Sequence, residues 1–412
     1  MRPLLLVILT GKREFREYLL RSIKRQYRIH MFLVSEPTWE LEYLDGHTRI
    51  DTGDVQAMTT AAKDLQAASL VAAASVRAGR SESLVAAASL RAGRSQEHIS
   101  GVLCWDEALV PQAAEVAQAL GLPGDPAVIA RCRDKHLTRQ ALTAAGVPQP
   151  RSVRVATLPD ALVEAGRMGY PLMIGRVKVD TAEQLTTAFD IRQPAILLEE
   201  FVPGDEISVD VAVHSGEIFP LCLARKEIGF APYRVEVGHY VHAEDPLLHD
   251  PLLFRLLHDT HRALGFYDGV THTEIMMSPD GPKVIEVNGR LGGDVIPYLG
   301  LRATGVDAGL AAAAVACGRA PHVERDRKLV AAVRFFYPSA PDTRIESIRF
   351  DSNGLPHAID SLAVLPEIGA VVSPPPKGTV NGRIAFATAV ATTAEECKDA
   401  LDAAEAALRV NE

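Results

Sequence analysis

The chain opens with an unbroken apolar run, Leu4 to Leu9, closed by Thr10, Gly11 and Lys12. A run this short is the pattern of a buried strand, well under the length of a membrane span. Behind it come a charged amphipathic helical pattern (REFREYLLRSIKRQ), a second apolar run (RIHMFLVS) and a later one (HISGVLCW). Strands alternating with helices predict a parallel sheet covered by helices. TGK after the first strand is not a GxGxxG fingerprint, so no dinucleotide site is assigned there. The initial apolar run has no small-residue cleavage site behind it, and a cytoplasmic protein is expected.

Further along, SLVAAASVRAGRSE (Ser69–Glu82) is repeated as SLVAAASLRAGRSQ (Ser83–Gln96). The period of fourteen is about four helical turns, so both copies present the same Leu/Val/Ala face. A basic anchor through Arg77, Arg80, Arg91 and Arg94 is one reading. A duplicated stretch of surface helix is the simpler one, and two copies are too few for a solenoid. From Asp134 a helix runs to a Gly146-Val147-Pro148 stop, and the segment to about Phe201 alternates short strands with a helix. Glu206 to Cys222 alternates apolar and polar positions around a turn at His214-Ser215-Gly216, as antiparallel strands do. PLLFRLLHDTHRALG is an amphipathic helix stopped by Gly265. The tail holds several strands, a proline-rich turn from Ser373 to Lys377 and a closing helix. These breaks divide the chain into four units: 1–125, 126–200, 201–324 and 325–412.

Length and composition narrow the class. A chain of 412 residues exceeds one ordinary core, so two to four domains are expected. With 47% hydrophobic and 23% charged residues it has the profile of a globular enzyme. A formal charge of −9 argues against a nucleic-acid partner. The five cysteines (Cys104, Cys132, Cys222, Cys317, Cys397) are scattered without CxxC spacing. They read as thiols in a reducing compartment, neither a disulfide framework nor a zinc site.

The stretch that decides the chemistry is Val284 to Asp294, VIEVNGRLGGD. Ser278-Pro279-Asp280-Gly281-Pro282 is a turn signal between two strand-like runs. A hairpin centred on Asp280 sets Glu274 directly across from Glu286, both six residues away. Asn288 and Arg290 then extend the same row, because alternate strand residues share a face. Two opposed carboxylates repel unless a cation stands between them. Either the acids pair with lysine or arginine, or Glu274, Glu286 and the Asn288 carbonyl give a hard-oxygen set for Mg²⁺. Arg290 is then placed to neutralise a phosphate or an anionic intermediate.

Glu274 followed by Glu286-Val287-Asn288-Gly289-Arg290 resembles the ATP-grasp superfamily, in particular its carboxylate–amine ligases of the L-amino acid and peptide ligase branch. Their signature is an acid on one strand and E-x-N-x-R on the next. Here Gly289 stands where proline is commoner. The resemblance implies a multi-domain α/β ATP-grasp architecture: an N-terminal parallel α/β domain, a small lid, an antiparallel ATP-grasp sheet and a small C-terminal mixed domain. It implies ATP and Mg²⁺ as cofactors, two metal ions with Mn²⁺ as an alternative, held by Glu274, Glu286 and Asn288.

LLEEFVPGDEISVD resembles the adenosine hinge, which makes Glu199 an acceptor from the adenine amino group. Phe201 and Val202 line that hinge, and Glu206 binds ribose. Lys135 matches a nucleotide-contacting lysine, while Arg225 and Lys226 are expected to meet phosphates. EVGH resembles the amino-acid ligases, with Glu236 near a substrate amino group and His239 near the reacting carboxyl. His239 and Arg290 are the catalytic candidates. Gly292 and Gly293 would let backbone approach substrate.

The resemblance fails at the lid. GYPLMI begins as the lid strand should, but Gly175-Arg176-Val177-Lys178 replaces the expected lysine-proline and glycine-rich loop. Either the phosphate loop is deleted, or residues are missing from this stretch, the second being favoured. In the first case Lys178 or Arg176 would substitute. The function expected is an ATP-dependent ligase acting on amino acids or a small peptide through an acylphosphate. Its partners are small molecules, with no nucleic acid or membrane, and the default assembly is a homodimer. The alternatives are a carboxylase-type or nucleotide-biosynthesis ATP-grasp enzyme, or a nucleotide-binding pseudoenzyme with a defective lid.

Overall fold

A computed structural model describes residues 2–77, 98–190, 195–231 and 233–412. The tandem repeat lies outside these residues, apart from the backbone up to Arg77, which continues the helix Val55–Arg77.

The N-terminal unit is a four-stranded parallel sheet: β1 (Leu4–Ile8), β2 (Arg28–Leu33), β3 (Gly46–Arg49) and β4 (Ile99–Leu103), in spatial order β3-β2-β1-β4. All five side chains of β1 are buried, and strand alternation shares them between two cores. Leu5 and Val7 pack with Leu19, Leu20 and Ile23 of the helix Arg13–Gln26. Leu4, Leu6 and Ile8 pack on the other face with Met58, Ala62, Ala113 and Val116. Each such aliphatic side chain contributes about 1.5–3 kcal/mol on burial, which is why this run needs cover on both faces.

Two linker helices, Pro126–Arg133 and Lys135–Ala144, lead out of this unit, capped by Asp125 and Asp134. A small sheet, the segment expected from sequence to be a lid, follows: β5 (Ser152–Val155), β6 (Leu172–Ile174), β7 (Val177–Val179) and β8 (Ile196–Glu200), all antiparallel, in order β5-β8-β6-β7. β6 pairs with β7 as far as Ile174 opposite Val177. The hairpin therefore closes over Gly175 and Arg176 alone, with Gly175 at φ +58°.

The central sheet has eight strands. β9 (Asp205–His214), β10 (Glu217–Gly229), β11 (Val235–His242), β12 (Gly269–Ser278) and β13 (Gly281–Asn288) come first along the chain. The tail holds β14 (Val330–Phe336), β15 (Thr343–Arg344), β16 (Ile348–Phe350), β17 (Ile359–Val364), β18 (Val371–Val372), β19 (Ala385–Ala391) and β20 (Leu408–Val410), of which β14, β17 and β19 join the central sheet while β15–β18 and β16–β20 form two-stranded sheets of their own. The order is β13-β12-β9-β10-β11-β14-β19-β17, so tail strands continue the same sheet. The β9–β10 hairpin turns at Ser215-Gly216, both at positive φ, where the sequence places it.

One face of β9 sends Ile207, Val209, Val211 and Val213 into a core built with Leu253, Leu256, Leu257 and Leu264. Those leucines come from the helix Pro251–Leu264, which ends at Gly265 with φ +83°. The opposite face carries the polar residues. Among the described residues no single helix is long and apolar enough to cross a membrane, and all five cysteines are free thiols.

Candidate active site

Glu274 does face Glu286, by a route the sequence conceals. The β12–β13 turn has two residues, Pro279 and Asp280, since Ser278 pairs with Gly281. Regular pairing from that turn would set Ile285 opposite Glu274. A bulge intervenes: Ile275 pairs with Val284, and the next pair is Glu274 with Glu286. The extra residue shifts register by one and so turns the carboxylate to the face of its partner. Arg139, buried on the second linker helix, covers the bulge. It donates to the carbonyls of Val284 (3.2 Å) and Ile285 (2.7 Å).

Across the sheet, opposed residues on this face form one polar row. Glu274 lies opposite Ser208 of β9, which pairs with Ala224 of β10. Two residues on along β10, Lys226 pairs with His239 of β11. Lys226 Nζ, on a side chain only 1% exposed, reaches Glu206 (2.8 Å), Glu274 (3.0 Å) and Glu236 (3.3 Å). Burial works against its charge, but three carboxylates outweigh burial and raise its pKa above the usual lysine value. Glu274 in turn is held well below the usual carboxylate range. Burial opposes this, while Lys226 and His272 override it.

Lys135 stands 2.7 Å from Glu286; partial loss of solvent works against its charge, but that carboxylate raises its pKa. In this structure the two opposed acids are thus balanced by lysine cations.

These groups line a cavity of about 500 Å³. Of the residues expected from sequence, Lys135, Glu206, Lys226, Glu236, His239, Glu274, Glu286, Asn288, Arg290 and Gly293 come together there. Others do not. Arg225 alternates to the opposite face of β10 and forks onto Asp245 at 2.6 and 3.0 Å, which leaves it no path to a phosphate. Glu199 is taken by Arg139 at 2.7 Å in a buried pair. Lys178 pairs with Asp180 (2.7 Å) and lies over the Phe201 ring, so Arg176 at the hairpin tip is the lid cation that lines the cavity. Val202 is buried.

Gly292 has a different use from the one expected. A Cβ there would lie 2.9 Å from His272 Nδ1 and 3.1 Å from Asp210, so its bareness makes room for that pair. Gly289 faces away from the cavity, where a Cβ would meet Ile129 at 2.3 Å.

Several residues at the site carry no signal in the sequence. His272 donates to the fully buried Asp210 (2.7 Å) and turns its other nitrogen toward Glu274 at 3.7 Å. Burial lowers its basicity, but the two carboxylates carry it to about 9, so it is a second cation beside Glu274. Glu107, from the loop after β4, receives Arg290 and Arg133. Asp294 follows the glycines with φ +50°, and Val295 follows at +57°, conformations costing about 1–3 kcal/mol each. Asp294 Oδ2 lies 3.5 Å from His239 Nε2, and both oxygens of Asp294 are held by Arg383 from the tail.

Glu274, Glu286 and Asn288 offer only hard oxygens, and two lysines already balance the acids there. Such residues suit Mg²⁺ and the phosphates it accompanies.

Residues 132–294 match the ATP-grasp domain family. Among curated relatives, a phosphoribosylamine–glycine ligase of Synechocystis sp. is 31% identical over 183 residues, 38% of this chain and 44% of that protein. Carnosine synthase 1 of Gallus gallus is 27% identical over 53% of this chain and 27% of that protein. The chain thus spans less than half the length of these relatives. An L-amino acid ligase from Bacillus licheniformis shares the fold over 100% of this chain and 99% of its own, with TM-score 0.78 at 20% identity.

Proposed function

We propose that this chain, which carries an ATP-grasp domain over residues 132–294, is an ATP-dependent ligase that joins the carboxyl group of one amino acid or small peptide to the amine of another. The observation that carries the reading is the bulged pairing of Glu274 with Glu286 in a cavity that also holds Asn288, Arg290, Lys135 and His239. The glycine ligase and the carnosine synthase among its relatives support it.

In the first step a substrate carboxylate oxygen attacks the γ-phosphorus of ATP. The bond to the β–γ bridging oxygen breaks, ADP leaves, and an acylphosphate remains. In the second, the amine nitrogen attacks the acyl carbon, the carbon–oxygen bond to phosphate breaks, and nitrogen loses a proton. A pair of magnesium ions on Glu274, Glu286 and Asn288 would supply charge neutralisation for the phosphates.

The chain's own residues do the rest. Lys135 and Arg176, which both line the cavity, would neutralise the transferring phosphoryl group. Arg290, oriented by Glu107, steadies the oxygens of the acylphosphate and of the tetrahedral species. His239, whose Nε2 lies near Glu236 and Asp294, would act at the reacting carboxyl. The short lid over Gly175-Arg176 supplies less cover than a glycine-rich loop, and exclusion of water from the acylphosphate falls more heavily on the surrounding walls.

The test is ADP release from Mg-ATP across a panel of amino acids and peptides. Release that requires both a carboxylate and an amine is expected. ATP binding without turnover would instead favour a pseudoenzyme, which the shortened lid would explain. Glu286→Gln is expected to lower turnover by at least ~100-fold while leaving the thermal midpoint within a few degrees, since Lys135 is half exposed. An active E286Q removes the metal assignment.

A further inference from the structure

The tail does more than extend the sheet. Arg383, just before β19, is 3% exposed. Its guanidinium lies 3.6 Å from the centre of the Phe335 ring. One nitrogen donates to Asp294 Oδ1 at 2.7 Å. The other donates to Asp294 Oδ2 at 2.9 Å and to the carbonyl of Glu236 at 3.0 Å, and Nε reaches Tyr337 Oη at 3.3 Å. Four contacts on a planar fork leave it little freedom.

What it holds is the wall around His239. Asp294 Oδ2 and Glu236 Oε2 lie 3.5 and 3.9 Å from His239 Nε2. Glu236 is already tied to Lys226 by its other oxygen. Among the described residues, Arg383 is the only arginine or lysine paired with Asp294.

We infer that Arg383 is a positioning residue for the amine-transfer half of the reaction. It holds Asp294 against His239 and cancels its charge, leaving Glu236 as the carboxylate turned toward a substrate ammonium group. Without Arg383, Asp294 loses the guanidinium that balances it and competes with Glu236 for the ammonium. The phosphate end of the cavity, around Lys135 and Glu286, is untouched. This rests on the ligase reading.

A charge cycle tests it. Arg383→Met is expected to lower kcat/KM for the amine substrate roughly 30-fold or more, with the Kd for Mg-ATP unchanged. Arg383→Lys, which keeps charge but not the fork, should fall between R383M and the wild type. Adding Asp294→Asn to R383M is expected to recover activity, because the bare charge disappears. Simple additivity of the two losses would mean that Arg383 only packs, and would overturn the inference. A parallel loss of Mg-ATP affinity in R383M would also overturn it. A wild-type chain that releases no ADP with any substrate pair removes the ligase reading and this inference together. A wild type that turns over beside an unaffected R383M removes this inference alone.

Discussion

At the residue scale the site is an exercise in charge balance. Glu206, Glu236 and Glu274 converge on one ammonium group, and burying three acids without it would be prohibitive. Lys226→Met is therefore expected to destabilise the fold by about 3–5 kcal/mol, the usual effect of removing one partner from a buried ion pair. The same change leaves a nest of hard oxygens, so millimolar Mg²⁺ should raise the melting temperature of K226M by more than it raises that of the wild type. Equal stability in denaturant, or equal response to Mg²⁺, would show that the lysine is not what balances these acids. In sequence Lys226 reads only as a cation near a phosphate. Its actual neighbours lie on three other strands, and the order β12-β9-β10-β11 that gathers them cannot be read from local pattern.

At the element scale, much was legible. The apolar run of β1, the Ser215-Gly216 turn and the helix stopped by Gly265 follow from periodicity and turn chemistry. The Glu274–Glu286 pairing also follows, though an assumed turn centre at Asp280 hid a tighter turn and a bulge at Ile285 that compensate each other. A bulge leaves no composition signature. Arg139, which covers its carbonyls, sits 145 residues from Val284.

One element interface carries a pH signature. His261, on the helix Pro251–Leu264, donates from Nδ1 to the Leu257 carbonyl (2.6 Å) and accepts at Nε2 from Thr271 of β12 (2.7 Å). Burial depresses it from 6.5 to about 4. The folded state keeps this ring neutral, while the unfolded chain takes up a proton as pH falls below 6.5. The stability it contributes is present above that pH and is lost toward about 4, for a total of roughly 3 kcal/mol. Between pH 7 and 5 the loss should be about 2 kcal/mol by denaturant titration, and His261→Gln should flatten the curve by that amount. An unchanged slope in H261Q would assign the acid sensitivity elsewhere.

At the scale of the whole molecule, the sequence suggests a tail set apart from about Arg325, whereas the central sheet runs straight through that point. β14 pairs with β11 over five residue pairs, from Gly238–Arg334 to His242–Val330, and β19 and β17 follow outward. A chain ending at Glu324 would expose the β11 edge beside His239, an open template for aggregation. It would also strip the cover from Val241, Val295, Ile296 and Leu299, which share a core with Ala331, Val333, Phe335 and Phe386. Asp294 would lose Arg383 at the same time. The expected outcome is a truncated chain without a cooperative thermal transition, recovered mainly as aggregate. Supplying residues 325–412 as a separate chain should restore solubility only if β14 can re-pair with β11. A soluble 1–324 fragment with a sharp melting transition would show that the central sheet is complete without its tail, and that the boundary suggested by sequence is a physical one.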